Sequence, residues 1–309
     1  AEKFSTTAGL RFDKHSVYGS SLNPRLGAVY KLNKQQVFKV LYGEAFRAPS
    51  SEEMLRTYGS IDASGNPSDF HLPNEDLKPE KVRTLGLVWD WQPSKDFNLV
   101  TSAYVSETKD LIATKYPSGS VTDYIPGVAI TDYGIKENSG KQTHHGLDLA
   151  GQYNLKITAD LRADFWASAS YIKGEIKDGD ITKEIPYVAN YKAKLGATLR
   201  YADFLTVTPK IRWTGDVTHT RTKAPTTGIP ANCTSNQTGK DLCTTQGYLV
   251  ADLHLGWHNL FASPASLWLD IYNLTDKKYF AAAGSGSTSF WDLPQQPRSW
   301  MLSLEYKLN

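Results

Sequence analysis

The sequence predicts an all-β protein, an antiparallel up-and-down transmembrane β-barrel to which this chain contributes about twelve strands. Three observations predict it. Apolar and polar residues alternate along many segments, short and long connections follow each other in turn, and Tyr and Trp stand at the ends of the apolar rows. Alternation with a period of two places successive side chains on opposite faces of a strand.

The clearest alternation lies in "ITADLRADFWASASYI", residues 157–172. One row begins at Ile157 and is apolar, whereas the other row contains Asp160, Arg162 and Asp164. A single Arg at mid-bilayer costs about 2–4 kcal/mol, so we expect the charged row to face a wet interior and the apolar row to face lipid. An open sheet edge would leave backbone groups unpaired in hydrocarbon, which predicts closure of the sheet into a barrel.

Further segments alternate in the same way. Strong cases lie near 26–32, 85–91, 193–201, 205–213, 249–257 and 300–308, and weaker cases near 5–14, 36–46, 97–107, 145–154 and 266–274. A serine that precedes residues 51–56 predicts one or two helical turns there. The aromatic residues at the row margins, which are typical of bilayer interfaces, are Trp89, Trp91, Tyr153, Tyr171, Tyr201, Trp213, Trp257, Trp300 and Tyr306.

The connections predict which end of the sheet each loop occupies. Short connections are expected at 32–36, 92–96, 154–156, 202–204 and 261–266, and long ones at 47–80, 112–140, 173–188, 215–246 and 276–296. The first connection, about 15–24, belongs with the long set by position. Because long and short alternate, all the long loops should emerge at one end, as in outer-membrane barrels.

Composition and motifs exclude several classes of function. The chain has 34 basic and 32 acidic residues, a balance that argues against nucleic-acid binding. No apolar run approaches the ~18–20 residues of a membrane helix. The motifs G-x-S-x-G, H-E-x-x-H, C-x-x-C and the P-loop are absent, so we expect neither an enzyme nor a cofactor.

Five segments in consistent order carry a family resemblance, and the first pair consists of an F-R-A-P box followed by an N-P-D-L-K-P-E-like box. The segments are "YGEAFRAPSSEEML" (42–55) with "NEDLKPEKVRTLGLVW" (74–89), "ETKDLI" (107–112), "HGLDLAGQY" (145–153), and the closing "DIYNLTDKKYF" (270–280) with "PRSWMLSLEYKLN" (297–309). Together they resemble the TonB-dependent outer-membrane receptors of bacteria.

The resemblance implies a barrel of about 22 strands with a plugged lumen. Residues 1–309 would be the C-terminal portion of that barrel, as a fragment, a split polypeptide or part of a longer chain, without the plug domain and the segment that contacts TonB. The family usually ends in an aromatic residue, whereas this chain ends at Leu308-Asn309, so its terminus is either trimmed or atypical.

The resemblance also implies a function and a set of partners. The function would be TonB-energised uptake of a scarce, bulky nutrient across the bacterial outer membrane, with a ferric siderophore favoured over haem or cobalamin. The partners would be outer-membrane lipid, a small-molecule metal chelate, the remainder of the receptor (plug and first barrel strands) and, through that part, TonB. The alternatives are a haem receptor that uses His71 and a self-contained passive pore of twelve strands.

Several loop residues are candidates for ligand contact. His71 stands between the first two boxes, where in similar haem receptors a histidine is a candidate axial ligand; a surface histidine without a ligand is the favoured interpretation. Arg47 is expected to tie the 47–80 loop to the barrel wall, with anion binding as the alternative. The remaining candidates are the aromatic Tyr116, Tyr124, Tyr133, Phe290 and Trp291, for which loop packing or anchoring at the lipid interface is favoured over ligand contact, and the basic His219, Arg221 and Lys223, which could equally be solvated.

The cysteines and two adjacent histidines are the last residues considered, as a possible disulfide and a possible metal site. Cys233 and Cys243, ten positions apart in one long loop, are expected to form a local disulfide worth roughly 2–3 kcal/mol. The alternatives are free thiols or a metal site with cysteine ligands. His144 and His145 are adjacent, so they point to opposite sides of a strand and cannot chelate a metal together.

Overall fold

The computed structural model describes residues 3–221, 233–235, 241–284 and 292–307. Twelve strands follow one another in chain order along one antiparallel sheet. They are β1 Phe4–His15, β2 Gly19–Lys31, β3 Gln36–Arg47, β4 Glu80–Ser94, β5 Phe97–Lys109, β6 Lys141–Lys156, β7 Leu161–Asp178, β8 Tyr191–Tyr201, β9 Leu205–Thr214, β10 Tyr248–Trp257, β11 Ala265–Tyr272 and β12 Ser299–Tyr306.

The predicted fold class is confirmed, because each expected strand is present and each pairs with its neighbours in sequence. One predicted boundary is wrong. Strand β6 extends to Lys156 and β7 begins only at Leu161, so residues 157–160 form the turn between them. The Thr158 hydroxyl accepts hydrogen bonds from the backbone N–H groups of Asp160 and Leu161, which closes a turn that the apolar alternation had concealed.

The sheet has an apolar outer face. In register across β6, β7 and β8, Leu149, Ala169 and Ala193 share one row, and Leu195 continues the row on β8. Leu195 is 54% exposed and Leu304 on β12 is 72% exposed, far more than water would favour for leucine. An apolar row of this extent is suited to hydrocarbon.

The opposite face is polar. Asp164 on β7 forms an ion pair with Arg200 on β8, and His254 on β10 contacts Asp270 on β11. Arg162 lies in the same luminal row as Asp164, as predicted, whereas Asp160 lies in the turn. These charged residues therefore line the interior.

Glycines let luminal aromatic rings lie against the wall. The ring of Trp268 on β11 crosses Gly256 on β10, where an added Cβ would stand 2.6 Å from the ring. Trp166 covers Gly196 in the same way between β7 and β8. An aromatic ring that covers a cross-strand glycine fills the space left by the missing side chain.

The long loops, all at one end of the sheet, contain regular structure that the alternation does not predict. A helix, α1, spans Ser51–Leu55, and Ser50 caps it in a capping box with Glu53. The loop strands are Tyr58–Ile61, Pro67–Leu72, Ile112–Lys115, Val121–Ile125, Val128–Ile130, Tyr133–Asn138, Ile181–Glu184, Val217–Arg221, Cys233–Ser235, Asp241–Thr245, Phe280–Ala282 and Asp292–Pro294. A 3-10 helix, Leu260–Ala262, lies in the short connection before β11.

Strands β1 and β12 are the two edges of the sheet. Within the residues that the structure describes, they pair with β2 and β11 respectively and not with each other. In that same part of the chain, no helix is long and apolar enough to cross a membrane.

Candidate functional site

Two loops pack together above the mouth of the sheet. The 48–79 loop contributes strands Tyr58–Ile61 and Pro67–Leu72, and the 110–140 loop contributes Tyr133–Asn138 and Ile112–Lys115, in that spatial order. The pair formed by Pro67–Leu72 and Tyr133–Asn138 is parallel. The result is a four-stranded sheet that joins loops distant in sequence.

A small apolar core holds this loop sheet in place. Phe70, Leu72 and Ile130 are buried, and Tyr133 packs against them. Side-chain amides fasten the loops to each other: Asn138 accepts from the Lys78 N–H at 2.7 Å and donates to the Lys78 carbonyl, also at 2.7 Å. A platform fixed in this way can hold binding side chains in defined positions.

Arg47 joins the end of β3 to both ends of the first long loop. Its guanidinium donates two hydrogen bonds of 2.7 Å to the carboxylate of Glu80, at the start of β4. It also donates to both carboxylate oxygens of Glu53 on α1, at 2.9 and 3.0 Å. The fork geometry of Arg suits two carboxylates at once, and Lys could not replace it. These contacts match the tying role expected for Arg47.

Glu53 is held ionised by this arrangement. Partial burial raises the pKa of the Glu53 carboxyl, but hydrogen bonds from Arg47 and Ser50 lower it by more, and the net pKa is below the usual value. The ionised form also completes the capping box, since its carboxylate accepts from the Ser50 N–H at 2.8 Å. The conformation of α1 therefore depends on the charge of Glu53.

Beside this cluster, three side chains form a stack. The rings of Tyr58 and His71 are parallel within 14°, with their centroids 4.2 Å apart. The guanidinium carbon of Arg56 lies 4.6 Å from the centroid of Tyr58. Tyr116 meets His71 edge-on at 6.5 Å, and 69% of its surface is exposed. The stack presents planar, positively charged and aromatic groups together.

These residues border an open cleft of about 350 Å³. Three cationic side chains and two carboxylates line it, with the stacked rings between them. The lining residues are Arg47, Ser50, Glu52, Glu53, Arg56, Tyr58, His71, Leu72, Gly134 and Lys136. Glu52 pairs with Arg56 and Glu53 with Arg47, and within the described ranges Lys136 has no carboxylate in ion-pair distance. The cleft can accept an anionic, aromatic ligand through charge and stacking.

The structure brings only some of the predicted ligand-contact residues to the cleft. It brings Arg47 and His71 to the cleft and places Tyr116 beside them. Tyr124 donates a hydrogen bond of 2.8 Å to the Thr57 hydroxyl, and Tyr133 belongs to the packed core of the loop sheet. Loop packing, the alternative weighed for the aromatic residues, describes Tyr133.

The structure corrects the expectation for His219. Only 1% of His219 is exposed, so the ring does not offer itself to a ligand from solvent. It packs against Tyr187, with centroids 5.6 Å apart, and its Nε2 atom lies 3.5 Å from the carboxylate of Asp292. Arg221 ends a loop strand opposite Asp241, and its side chain is outside the described set. Lys223, Phe290 and Trp291 lie outside the described residues.

The two cysteines occupy facing positions of the same loop hairpin. Cys233 is in register with Cys243, and their sulfur atoms lie 2.10 Å apart, within bonding distance. His144 and His145 point to opposite faces of β6: His144 meets luminal Tyr104, whereas His145 meets Tyr171 on the outer face.

Sequence reasoning missed Arg56, Tyr58 and Lys136, which complete the cleft. A partial signal existed, because Glu52 and Arg56 stand four residues apart on α1 and its C-cap, the spacing of a helical ion pair. No sequence signal placed Lys136 near them, because it comes from the other loop.

Comparison with known proteins agrees with this architecture. Residues 1–274 match the family described as TonB dependent receptor-like, beta-barrel, and the chain belongs to that family. The family consists of transport receptors of the outer membrane and not of enzymes. The apolar face of the sheet is therefore its lipid-facing surface in the outer membrane.

Three relatives illustrate the similarity. The chain is 36% identical over 112 residues to an iron-regulated outer membrane virulence protein of Vibrio cholerae, a match that covers 36% of this chain and 17% of that protein. It is 23% identical over 297 residues to the heme/hemopexin utilization protein C of Haemophilus influenzae, covering 90% and 38% respectively. The crystal structure of the siderophore receptor PirA from Acinetobacter baumannii superposes with a TM-score of 0.72 at 22% identity, covering 98% and 43%.

The chain thus spans less than half the length of the relatives it matches.

Proposed function

We propose that this chain is the C-terminal portion of a receptor that takes up a ferric siderophore across the outer membrane with energy supplied through TonB. The observation that carries the proposal is the stack of Arg56, Tyr58 and His71 in the lining of the cleft, with Lys136 nearby. Ferric chelates with aromatic ligands are planar in parts and negatively charged. Guanidinium groups bind such oxygens, and aromatic rings stack on the chelating rings.

The remainder of the receptor would supply the plug, the first barrel strands and the contact with TonB. Two observations support this division. The chain covers less than half of each similar receptor, and in the described part of the sheet β1 and β12 keep separate free edges. Such edges are costly in hydrocarbon, so further strands should pair with them. A self-contained pore of twelve strands has no comparable support.

Haem is the second candidate ligand, since the relative from Haemophilus influenzae that matches 90% of this chain is named for haem and hemopexin. His71 would then be the axial ligand. The surroundings of His71 favour the siderophore, because one face of its ring is stacked on Tyr58 and its Nε2 atom lies close to Gly134.

Ligand capture by the complete receptor tests the proposal. The receptor is purified from iron-limited cells, and the bound material is identified by mass spectrometry and visible absorbance. We expect a ferric chelate without a Soret band, and a loss of most of the bound iron on Tyr58→Leu. His71→Ala tests the haem candidate, and His15→Ala is its matched control, because His15 at the end of β1 is also stacked on a tyrosine, Tyr18, with the ring centroids 4.1 Å apart.

A Soret band that disappears in His71→Ala but persists in His15→Ala would contradict the siderophore and establish the haem candidate. Ion conductance by this chain alone in a planar bilayer, with no captured ligand, would contradict both and favour a pore.

A further inference from the structure

Four lysines stand side by side at the outer end of the sheet, on neighbouring strands β4, β5, β6 and β7. They are all exposed and each is in register with the next. This row, here named the lysine ladder, consists of Lys81, Lys109, Lys141 and Lys177.

The lysine ladder points toward the membrane side of the sheet and not into the lumen. Along β4, Lys81 shares its face with Leu85, Leu87 and Trp89, because these residues are separated by even numbers of positions. The apolar row of this strand runs toward the short turn, and Lys81 stands at the end near the long loops. The lysine ladder therefore lies at the outer boundary of the bilayer, at the long-loop end of the apolar rows.

The ladder carries more positive charge than the protein neutralises. Like charges that face each other directly across strands destabilise a sheet. The main internal counter-charge is Glu107, whose carboxylate lies 2.6 Å from Arg83, 3.5 Å from Lys109 and also in contact with Lys141. Three cations thus share one carboxylate. Among the described residues, no carboxylate lies within ion-pair distance of the two end lysines of the ladder.

The row of facing lysines is limited to β4, β5, β6 and β7. On β9, β10 and β12 the outward rows end near the long loops in Trp213, Leu249 and Trp300 instead. If these residues served only to hydrate the end of the barrel, any polar side chains would suffice, and four lysines in register on adjacent strands would not be needed. A local anion of membrane origin explains both the position and the sign of the charge.

We propose that the lysine ladder binds the phosphate groups of a lipid headgroup in the outer leaflet. Each ammonium offers three hydrogen-bond donors to phosphate oxygens, and the paired lysines supply a row of them across several strands. The acyl chains of the same lipid would lie along the apolar rows that begin beyond the next outward row, which consists of Arg83, Glu107, Thr143 and Glu175. The anion would relieve the repulsion between the facing lysines.

The test uses the complete receptor in nanodiscs of phosphatidylcholine that contain a small fraction of lipopolysaccharide. The double variant Lys109→Gln/Lys141→Gln is compared with Lys192→Gln/Lys194→Gln, which removes equal charge from β8, with Lys194 in the luminal row. Lipopolysaccharide retained per receptor after washing is measured by mass spectrometry. The ladder variant should retain about tenfold less, and the luminal control should retain as much as the wild type.

Two further arms use only the wild-type receptor and so do not depend on the folding of a variant. Dephosphorylated lipopolysaccharide should be retained about tenfold less than the phosphorylated form, and millimolar inorganic phosphate should displace little of the bound lipid. Equal retention of the two lipids, or equal retention by the ladder and luminal variants, would overturn the proposal. Complete displacement by inorganic phosphate would also overturn it, since the ladder would then be a site for free anions.

Discussion

The imidazole of His71 lies flat on the phenol ring of Tyr58, with the ring centroids 4.2 Å apart and the planes inclined by 14°. The two residues belong to neighbouring loop strands and face each other in register. On the far side of Pro67–Leu72, Gly134 is the register partner of His71. The stack is therefore built within the first long loop, and the second long loop lies against it at Gly134, where the absence of a side chain leaves room for the His71 ring.

Gly134→Ala should disturb the stack and weaken ligand binding. An added Cβ would stand 3.1 Å from His71 Nε2 and 2.8 Å from a methyl group of Thr114, so the imidazole must move. We expect the ligand affinity of the complete receptor to fall about tenfold, the loss of roughly one stacking contact. Fluorescence titration measures it. Gly86→Ala is the control, since its Cβ would meet nothing closer than 4.0 Å. Equal affinities for the two variants would show that the stack is not part of the site.

Arg47→Met should loosen the first long loop at neutral pH. The variant leaves the carboxylates of Glu53 and Glu80 together without their shared cation, so the pKa of Glu53 should rise. In the wild type the pKa of Glu53 is lowered by folding, so ionised Glu53 stabilises α1 at every pH above the pKa of the unfolded chain, about 4.5. This stabilisation is lost as the pH falls through the pKa of the folded state. Hydrogen exchange of residues 50–56, corrected for intrinsic rates, measures the change.

The difference between the wild type and Arg47→Met should therefore be largest near pH 7 and should vanish at the lowest pH. Arg56→Met is the control for hydrogen exchange, because its partner Glu52 is largely exposed and such a pair contributes about 0–1 kcal/mol. A difference that persists unchanged at low pH would mean that Arg47 acts through packing and not through charge.

Leu195→Arg should impair assembly of the barrel. Leu195 lies in the lipid-facing row between Ala167 and Ile211, where placing a guanidinium in the hydrocarbon of the bilayer costs about 2–4 kcal/mol. Thr198→Arg on the same strand is the matched control, since Thr198 lies in the luminal row. Heat-modifiable migration of the folded barrel in gels measures assembly. Equal yields of folded Leu195→Arg and Thr198→Arg would contradict the assignment of the two faces.

The Cys233–Cys243 pair should be a stable disulfide in the exported receptor. Both cysteines lie on facing strands of one hairpin, and Cys243 is 1% exposed. We expect no alkylation of the native protein, and alkylation of both thiols after unfolding with a reductant. Cys243→Ser should make the 217–245 loop more sensitive to protease, as the crosslink contributes roughly 2–3 kcal/mol. Alkylation of the unfolded protein without reductant would show free thiols instead.

The strands and their faces could be predicted because a bilayer imposes one rule on every strand. Lipid selects apolar side chains at every second position, so Leu195 and Arg162 reveal their faces by parity alone. The error at Ile157 has a local cause. The turn sequence continues the apolar alternation by chance, and a threonine hydroxyl, which periodicity does not register, closes the turn.

The cleft could not be predicted, because it depends on pairing between distant loops. His71 and Gly134 are register partners, although they are 63 positions apart in the sequence. Such non-local parallel pairing leaves no periodic signature, since each loop strand has only a few residues. The residue type and the position of His71 and Arg47 identified them as candidate site residues. Tyr58 and Lys136 join them only in the folded protein, through the packing of the two loops.

The affinity of the complete receptor for a ferric catecholate, measured beside its affinity for haemin, tests the proposed site most directly. The comparison uses the wild type and the double variant Arg56→Ala/Tyr58→Leu, which removes the charged and aromatic parts of the stack. We predict tight binding of the catecholate, no more than weak binding of haemin, and a loss of catecholate affinity of about a hundredfold in the variant. Catecholate binding that is unchanged in the variant, or haemin binding that is the tighter of the two, would contradict this prediction.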